Sequence, residues 1–299
     1  MKLRVLGSAA GGGYPQWNCR CAVCGLYWQG DSRVHRRTQS SIVASSNGQD
    51  WALFNCSPDI REQIGANPVL HPREGLRHSP IKAVILTNAD VDHIGGLISL
   101  REQNAFTVWA SAKVLDQIDA NPIFAALNRD IVVFKTMETG KSFEATPKLR
   151  ITAFEVPGKV PLYREAEQGF AVSRNGDTLG LHIETDGKRA CYVPGCGEID
   201  ERLKSDLKGA ELLLFDGTLW KDDEMITSGT GTKTGKRMGH VPVSGADGSM
   251  AQLQSIDVPR RYFIHMNNTN PLLIDDSPER REAEAAGWLV SDDCQEITL

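Results

Sequence analysis

Short apolar runs recur along the chain, and each gives way to a turn containing polar or glycine residues. Runs of this length, rich in branched and aromatic side chains, read as strands. In the first half they are Lys2–Leu6, Ser41–Ala44, Trp51–Phe54, Ala83–Leu86, Thr107–Trp109 and Ile131–Phe134. In the second half they are Leu149–Phe154, Gly180–Glu184, Ala190–Val193, Leu212–Phe215, Tyr262–Ile264 and Trp288–Val290. Helical stretches fall between them. Ser57-Pro58-Asp59 predicts a helix start, with a Ser cap, Pro at the first helical position and an acid near the positive helix end. Ser277-Pro278-Glu279 repeats the device, and Gly287 stops that helix. Such a mixture suits sheets covered by helices. No repeat, low-complexity tract or Pro- or Ser-rich linker divides the chain, so residues 1–299 are expected to form a single domain.

No apolar window approaches the ~18 residues of a membrane span. The segment Met1–Leu6 turns into a glycine loop too soon for a secretory signal. A cytoplasmic location is therefore expected, where cysteines stay thiols or bind metal. The net charge of -5 argues against a broad basic face for nucleic acid. The cluster Arg33 to Arg37, with His35 between, reads as a solvated loop.

Chemistry in such folds sits in the loops at strand ends. Here those loops carry Gly7 to Gly13, Asn88 to His93, Asp216-Gly217-Thr218 and His265. The seven cysteines are unevenly placed, with Cys19, Cys21 and Cys24 packed into one short run. Three thiolates this close suit one tetrahedral Zn(II), and a fourth protein ligand would close the site and make it structural. His265, Asn268 and His240 are the candidates for that fourth position. This metal clip, at about residues 18–25, would fasten the N-terminal loop to another part of the fold. Asp92 and His93 share one turn after a buried strand and both can point into one cavity, with Asp90 adding a carboxylate. Gly95 and Gly96 let the next segment of backbone approach closely.

The run Asn88-Ala89-Asp90-Val91-Asp92-His93 resembles the His-x-His-x-Asp-His motif of the metallo-β-lactamase superfamily. Asp92 and His93 match it, Asp216 stands where that superfamily has its metal-bridging Asp, and His265 where it has its last His. The cysteine clip resembles that of the phosphodiesterase branch containing the carbon–phosphorus lyase accessory enzyme. The segments Leu6–Cys19, Ser57–Arg61, Asp216–Trp220, Met238–His240 and His265–Pro271 resemble the branch that works in synthesis of the cofactor pyrroloquinoline quinone (PQQ). The resemblance implies an α/β fold, the αββα sandwich of two mixed β-sheets flanked by helices. It also implies iron- and O2-dependent hydroxylation of the tyrosine-derived ring of a cross-linked Glu–Tyr precursor, with other PQQ-pathway proteins as possible partners.

The motif departs from the superfamily in a telling way. Asn88 and Asp90 replace two His of the first metal site, and the third position offers only Cys196 or Glu198. The second site keeps Asp92, His93, Asp216 and His265. Two His with carboxylates and open positions is the pattern of O2-activating non-haem Fe(II), and Zn(II) binds such a set too. In this reading Fe(II) is held by Asp92, His93 and His265, with Asp216 a further ligand or an orienting group. Asp90 and His240 are the candidates for moving protons or holding substrate. Arg61, Arg101, Lys233 and Arg237 are candidates to meet the precursor's carboxylates. The Gly7–Gly13 loop is expected to line the floor of the active site, and Thr227 to Gly239 to form a lid. Two other readings stand beside the hydroxylase: a metal-dependent hydrolase, and a soluble carrier of PQQ or its precursor toward the periplasm.

Overall fold

In the computed structural model, which describes residues 1–299 with the side chains of Glu167 and Gln168 left aside, the apolar runs sort their side chains onto two faces. Leu3 and Val5, Ile42 and Ala44, and Ala52 and Phe54 point into a core between two sheets, while Leu6, Val43 and Leu53 pack outward under helices. The second half repeats the division, with Leu212 and Leu214 facing inward and Leu213 and Phe215 outward. Strands covered on both faces need apolar residues at every position, which is why they read as unbroken runs.

The first sheet contains β1 (Lys2–Gly7), β2 (Ser41–Ser45), β3 (Trp51–Phe54), β4 (Ile81–Ile85), β5 (Phe106–Ala110) and β6 (Val132–Thr136). The second contains β7 (Ser142–Thr146), β8 (Leu149–Glu155), β9 (Leu179–Thr185), β10 (Lys188–Val193), β11 (Leu212–Asp216), β12 (Arg260–Ile264) and β13 (Trp288–Val290). The last strand, β14 (Glu296–Thr298), returns to the first sheet. Strand orders are β14-β1-β2-β3-β4-β5-β6 and β13-β12-β11-β10-β9-β8-β7. Each sheet is mixed. β3 to β6 run parallel, as do β10 to β13, and the remaining pairs are antiparallel. Three apolar clusters fill the spaces between the sheets and beneath the helices on either side, which makes an αββα sandwich.

The twelve predicted strands are all present, most a residue or two longer. β7 and β14 were not predicted, because their sequences, Ser-Phe-Glu-Ala-Thr and Glu-Ile-Thr, alternate apolar and polar residues at or near sheet edges. Ser277 caps the helix Pro278–Ala285 by accepting from the Arg280 N–H, as expected. The Ser57 device does not hold. That helix is Ile60–Ala66 and begins beyond Pro58, while the Ser57 hydroxyl bonds Gln63 instead. The basic cluster is not uniformly solvated either. Arg37 is buried, and its guanidinium holds Ser8 Oγ, the Ser291 carbonyl and Asp292. A buried guanidinium needs such partners to offset its desolvation, and here they tie the first glycine loop to the C-terminal segment. Among the described residues no helix is long and apolar enough to cross a membrane.

Candidate metal centre and cavity

The ends of β1, β4, β10, β11 and β12 meet at one rim, where their loops line a cavity of about 310 Å³. Ala10 and Gly11 form part of its floor, and a Cβ on Gly11 would lie 3.5 Å from Asp92 Cγ. The Gly7–Gly13 loop therefore takes its expected place. The Asp92-His93 turn is latched down by backbone bonds, Cys56 N–H to the His93 carbonyl and Gly96 N–H to the Cys56 carbonyl. Gly96 is required there, since a Cβ would fall 2.0 Å from the Ser57 carbonyl oxygen.

Asp92, His93 and His265 offer ligand atoms within 4.8 Å of one another, and so do Asp216, His240 and His265. His93 Nε2 lies 3.7 Å from Asp92 Oδ2, and His265 Nε2 lies 3.0 Å from the same oxygen. His93 is almost wholly buried, and its Nε2 has no hydrogen-bond partner among the described residues. Its Nδ1 faces Thr87 Oγ1 at 3.4 Å. An orphaned buried ring nitrogen beside a carboxylate fits a metal ligand, because leaving it unpaired costs about 1–3 kcal/mol. Burial pushes His93 down to about 4, despite Asp92 beside it, so the ring is neutral and its lone pair is free. Burial works against the Asp92 carboxylate, yet His93 and His265 outweigh it and hold the group ionised well below the usual range. Burial acts to lower His265, but its hydrogen bond to Asp92 outweighs that and raises it, so ligation there would displace a proton. Two imidazoles and one carboxylate thus converge as metal ligands do.

Asp216 is fully buried at the end of β11, and protein donors surround its carboxylate. The Cys196 N–H reaches Oδ2 at 2.9 Å, the Thr218 N–H reaches Oδ1 at 3.0 Å, and the Thr218 hydroxyl reaches Oδ1 at 2.6 Å. His240 Nδ1 lies 2.6 Å from Oδ2. His265 adopts a positive φ of 64°, unusual for a non-glycine residue and characteristic of over-determined functional positions.

Cys19, Cys21 and Cys24 bring their sulfurs into one cup. Asn268 caps it, with Nδ2 at 3.2 Å from Cys19 Sγ and 3.3 Å from Cys24 Sγ. Hydrogen bonding from Cys24 pulls Cys21 down to about 5, which favours its thiolate. Of the three candidates for the fourth position only Asn268 reaches the cup. His265 and His240 are engaged with Asp92 and Asp216 at the other centre.

The chain matches the family model for the beta-lactamase superfamily domain over residues 50–266. It is 53% identical over 293 residues to coenzyme PQQ synthesis protein B of Methylorubrum extorquens, covering 98% of both chains. It is 48% identical over 300 residues to the protein of the same name from Xanthomonas campestris pv. campestris, with full coverage of both. The chain belongs to the coenzyme PQQ synthesis protein B family. The crystal structure of Zn(2+)-bound PqqB from Methylobacterium extorquens superposes with a TM-score of 0.98 at 52% identity over the whole of both chains. A diphosphatase of the PhnP family shares the fold, with a TM-score of 0.68 at 20% identity over 99% of this chain and 96% of its own.

Asn88 and Asp90 line the cavity, and the Asn88 side chain accepts from the Asp90 N–H. Neither Cys196 nor Glu198 replaces the missing third ligand. Cys196 Sγ turns to the Glu198 carbonyl, and the Glu198 side chain is exposed. Among the cations expected to meet substrate, Lys233 lines the cavity, whereas Arg61 and Arg101 do not. Arg237 stands behind Lys233, and both pair with Glu165, at 2.9 and 3.6 Å. Lys159 was missed. It sits on the cavity wall with Nζ 3.8 Å from Asp90 Oδ1, and its isolated position in a glycine- and proline-containing loop gives no periodic signal. Thr218, also missed, follows Asp216 in a short turn that sequence spacing marks only as polar.

Proposed function

We propose that residues 1–299 act as one cytoplasmic domain that hydroxylates the tyrosine-derived ring of the cross-linked Glu–Tyr precursor of PQQ, using Fe(II) and O2. The observation that carries this reading is the convergence of Asp92, His93 and His265 on one cavity wall, with His93 Nε2 buried and unpartnered. Two nitrogens and one carboxylate would leave open positions at a bound Fe(II), the site for O2 to be activated, with an external two-electron reductant providing the electrons for each oxygen atom inserted and the second oxygen atom leaving as water. Asn88 and Asp90 stand where a two-metal hydrolase requires His, which weighs against the hydrolase.

The chain's own groups have distinct tasks in this proposal. Lys159 and Lys233 meet the precursor's carboxylates, and Leu162 and Met238 supply apolar wall for its ring. His240 is oriented by Asp216 through Nδ1, so Nε2 is the nitrogen left to bond a phenolic hydroxyl. Asp90, whose carboxyl burial pushes upward against the Lys159 ammonium 3.8 Å away, is the group placed to pass a proton. The cysteine clip with Asn268 holds Zn(II) and keeps the N-terminal loop against the segment that follows His265. Partners beyond the precursor and O2 are other proteins of the PQQ pathway.

The test is anaerobic reconstitution with Fe(II), followed by O2 consumption with the diamino-acid precursor, beside a His93→Ala variant. Uptake accompanied by mass gains of one oxygen atom, absent in the variant, is expected. Stoichiometric precursor binding without uptake would overturn the hydroxylase in favour of a carrier, and O2-independent cleavage would favour a hydrolase.

A further inference from the structure

We propose that the Thr218 hydroxyl is a positioning group that sets the ring tautomer of both His265 and His240, and thereby keeps the metal-facing nitrogen of His265 able to ligate. The inference rests on reading Asp92, His93 and His265 as a metal centre. Thr218 is buried in the turn after β11, and its Oγ1 touches four polar atoms. They are Asp216 Oδ1 at 2.6 Å, His265 Nδ1 at 2.8 Å, the His265 carbonyl at 3.0 Å and His240 Nδ1 at 3.1 Å.

A hydroxyl has one proton and two lone pairs. Its shortest contact is to a carboxylate oxygen, which can only accept. Asp216 also receives the Cys196 and Thr218 N–H groups, so it is ionised and takes the hydroxyl proton. Thr218 Oγ1 then has only lone pairs to offer the two rings, and each ring must bring its own proton on Nδ1. For His240 that proton is shared with Asp216 Oδ2 at 2.6 Å. For His265, Thr218 Oγ1 is the acceptor within reach of Nδ1.

With Nδ1 protonated, His265 Nε2 presents a lone pair toward Asp92 Oδ2 at 3.0 Å. Two acceptors at that separation repel unless a proton or a cation stands between them. Removing the hydroxyl releases Nδ1. The ring is then free to carry its single proton on Nε2 and close on Asp92 directly, which removes two ligands from the centre together. Fixing a ligand histidine through its other nitrogen typically changes metal affinity by about 10–100-fold.

The metal-stripped full chain is titrated with Co(II). Thiolate-to-cobalt charge-transfer absorption marks the equivalent at the cysteine clip, and the second equivalent, absent in His93→Ala, reports the other centre. Thr218→Val is expected to weaken the second equivalent by roughly 10–100-fold, with the clip equivalent unchanged and Thr218→Ser restoring wild-type affinity. Should Thr218→Val not fold, Thr218→Ala against Thr218→Ser gives the same comparison. Equal affinity and an equal cobalt spectrum in the hydroxyl-free variant would overturn the tautomer role. A wild-type chain with no second equivalent that His93→Ala removes would instead overturn the metal-centre reading on which it rests.

Discussion

His265 Nε2 and Asp92 Oδ2, 173 positions apart in the chain, meet at 3.0 Å. One follows β12 of the second sheet and the other follows β4 of the first, so neither sheet alone builds the centre. Packing the two sheets together brings these candidate ligands to one cavity, beside the core between the sheets. Asp92→Asn keeps the shape and removes the charge. Loss of an outer contact to a ligand already costs about 10–100-fold in affinity, and replacing the anionic ligand itself is expected to cost more. Metal content after gel filtration, measured by mass spectrometry, checks this; full occupancy in the variant would remove Asp92 from the ligand set.

Lys159 and Lys233 are expected to act on substrate binding rather than on the chemical step. Each variant to Met keeps the aliphatic stem and removes one charged hydrogen bond, worth about 1.5–3 kcal/mol. That corresponds to roughly 10- to 150-fold in KM, with kcat little changed. Steady-state O2 uptake at varied precursor concentration measures the split. A loss confined to kcat would place these lysines in the chemistry instead.

The clip is expected to contribute stability and no turnover. Cys24→Ser removes one thiolate from the cup that Asn268 caps. The variant should carry one zinc fewer per chain and melt at a lower temperature, by about 2 °C for each ~1 kcal/mol lost. Calorimetry with parallel zinc analysis tests it. A variant that lost zinc but melted like the parent would show that the clip fastens nothing.

Glu224 gives stability a pH dependence. It is buried between the Thr269 hydroxyl, at 2.6 Å, and the Trp220 N–H, at 2.7 Å. Burial pushes its carboxyl up to about 7, against about 4.3 in an unfolded chain. Folding therefore takes up a proton. The contribution is complete below pH ~4 and is lost as pH rises through about 7. Denaturant midpoints between pH 5 and 8 should fall for the parent relative to Glu224→Gln. Parallel curves would show that Glu224 is ionised throughout.

Much of the fold was legible because strands buried on both faces leave an unbroken apolar signature. β7 and β14 left none, since a half-exposed strand near an edge needs only alternate apolar residues. At the site, Asp92 and His93 were legible as neighbours on one turn, and the cysteines as a cluster. Lys159 and Thr218 were not, because a lone Lys or Thr in a loop has many solvated uses. Which of His265, Asn268 and His240 lies over the cysteines was not legible either, since all three lie in suitable loops.

The sequence by itself determined the strands, the strand-end position of the candidate ligands and the presence of Asn88 and Asp90 where the superfamily motif has histidines, because these are local properties of pattern and residue type. The tertiary structure alone decided which distant side chains share an oxygen or a hydroxyl. Asn268 faces the thiols while His265, three residues earlier, faces Asp92. That division follows from the left-handed backbone at His265 and the turn after it, which send successive side chains to opposite sides of one segment. Direction at such a turn is set by the contacts that hold it, here the Met266 N–H on the Ser8 carbonyl and the Asn267 N–H on the Thr218 carbonyl, and those contacts exist only once the chain has folded.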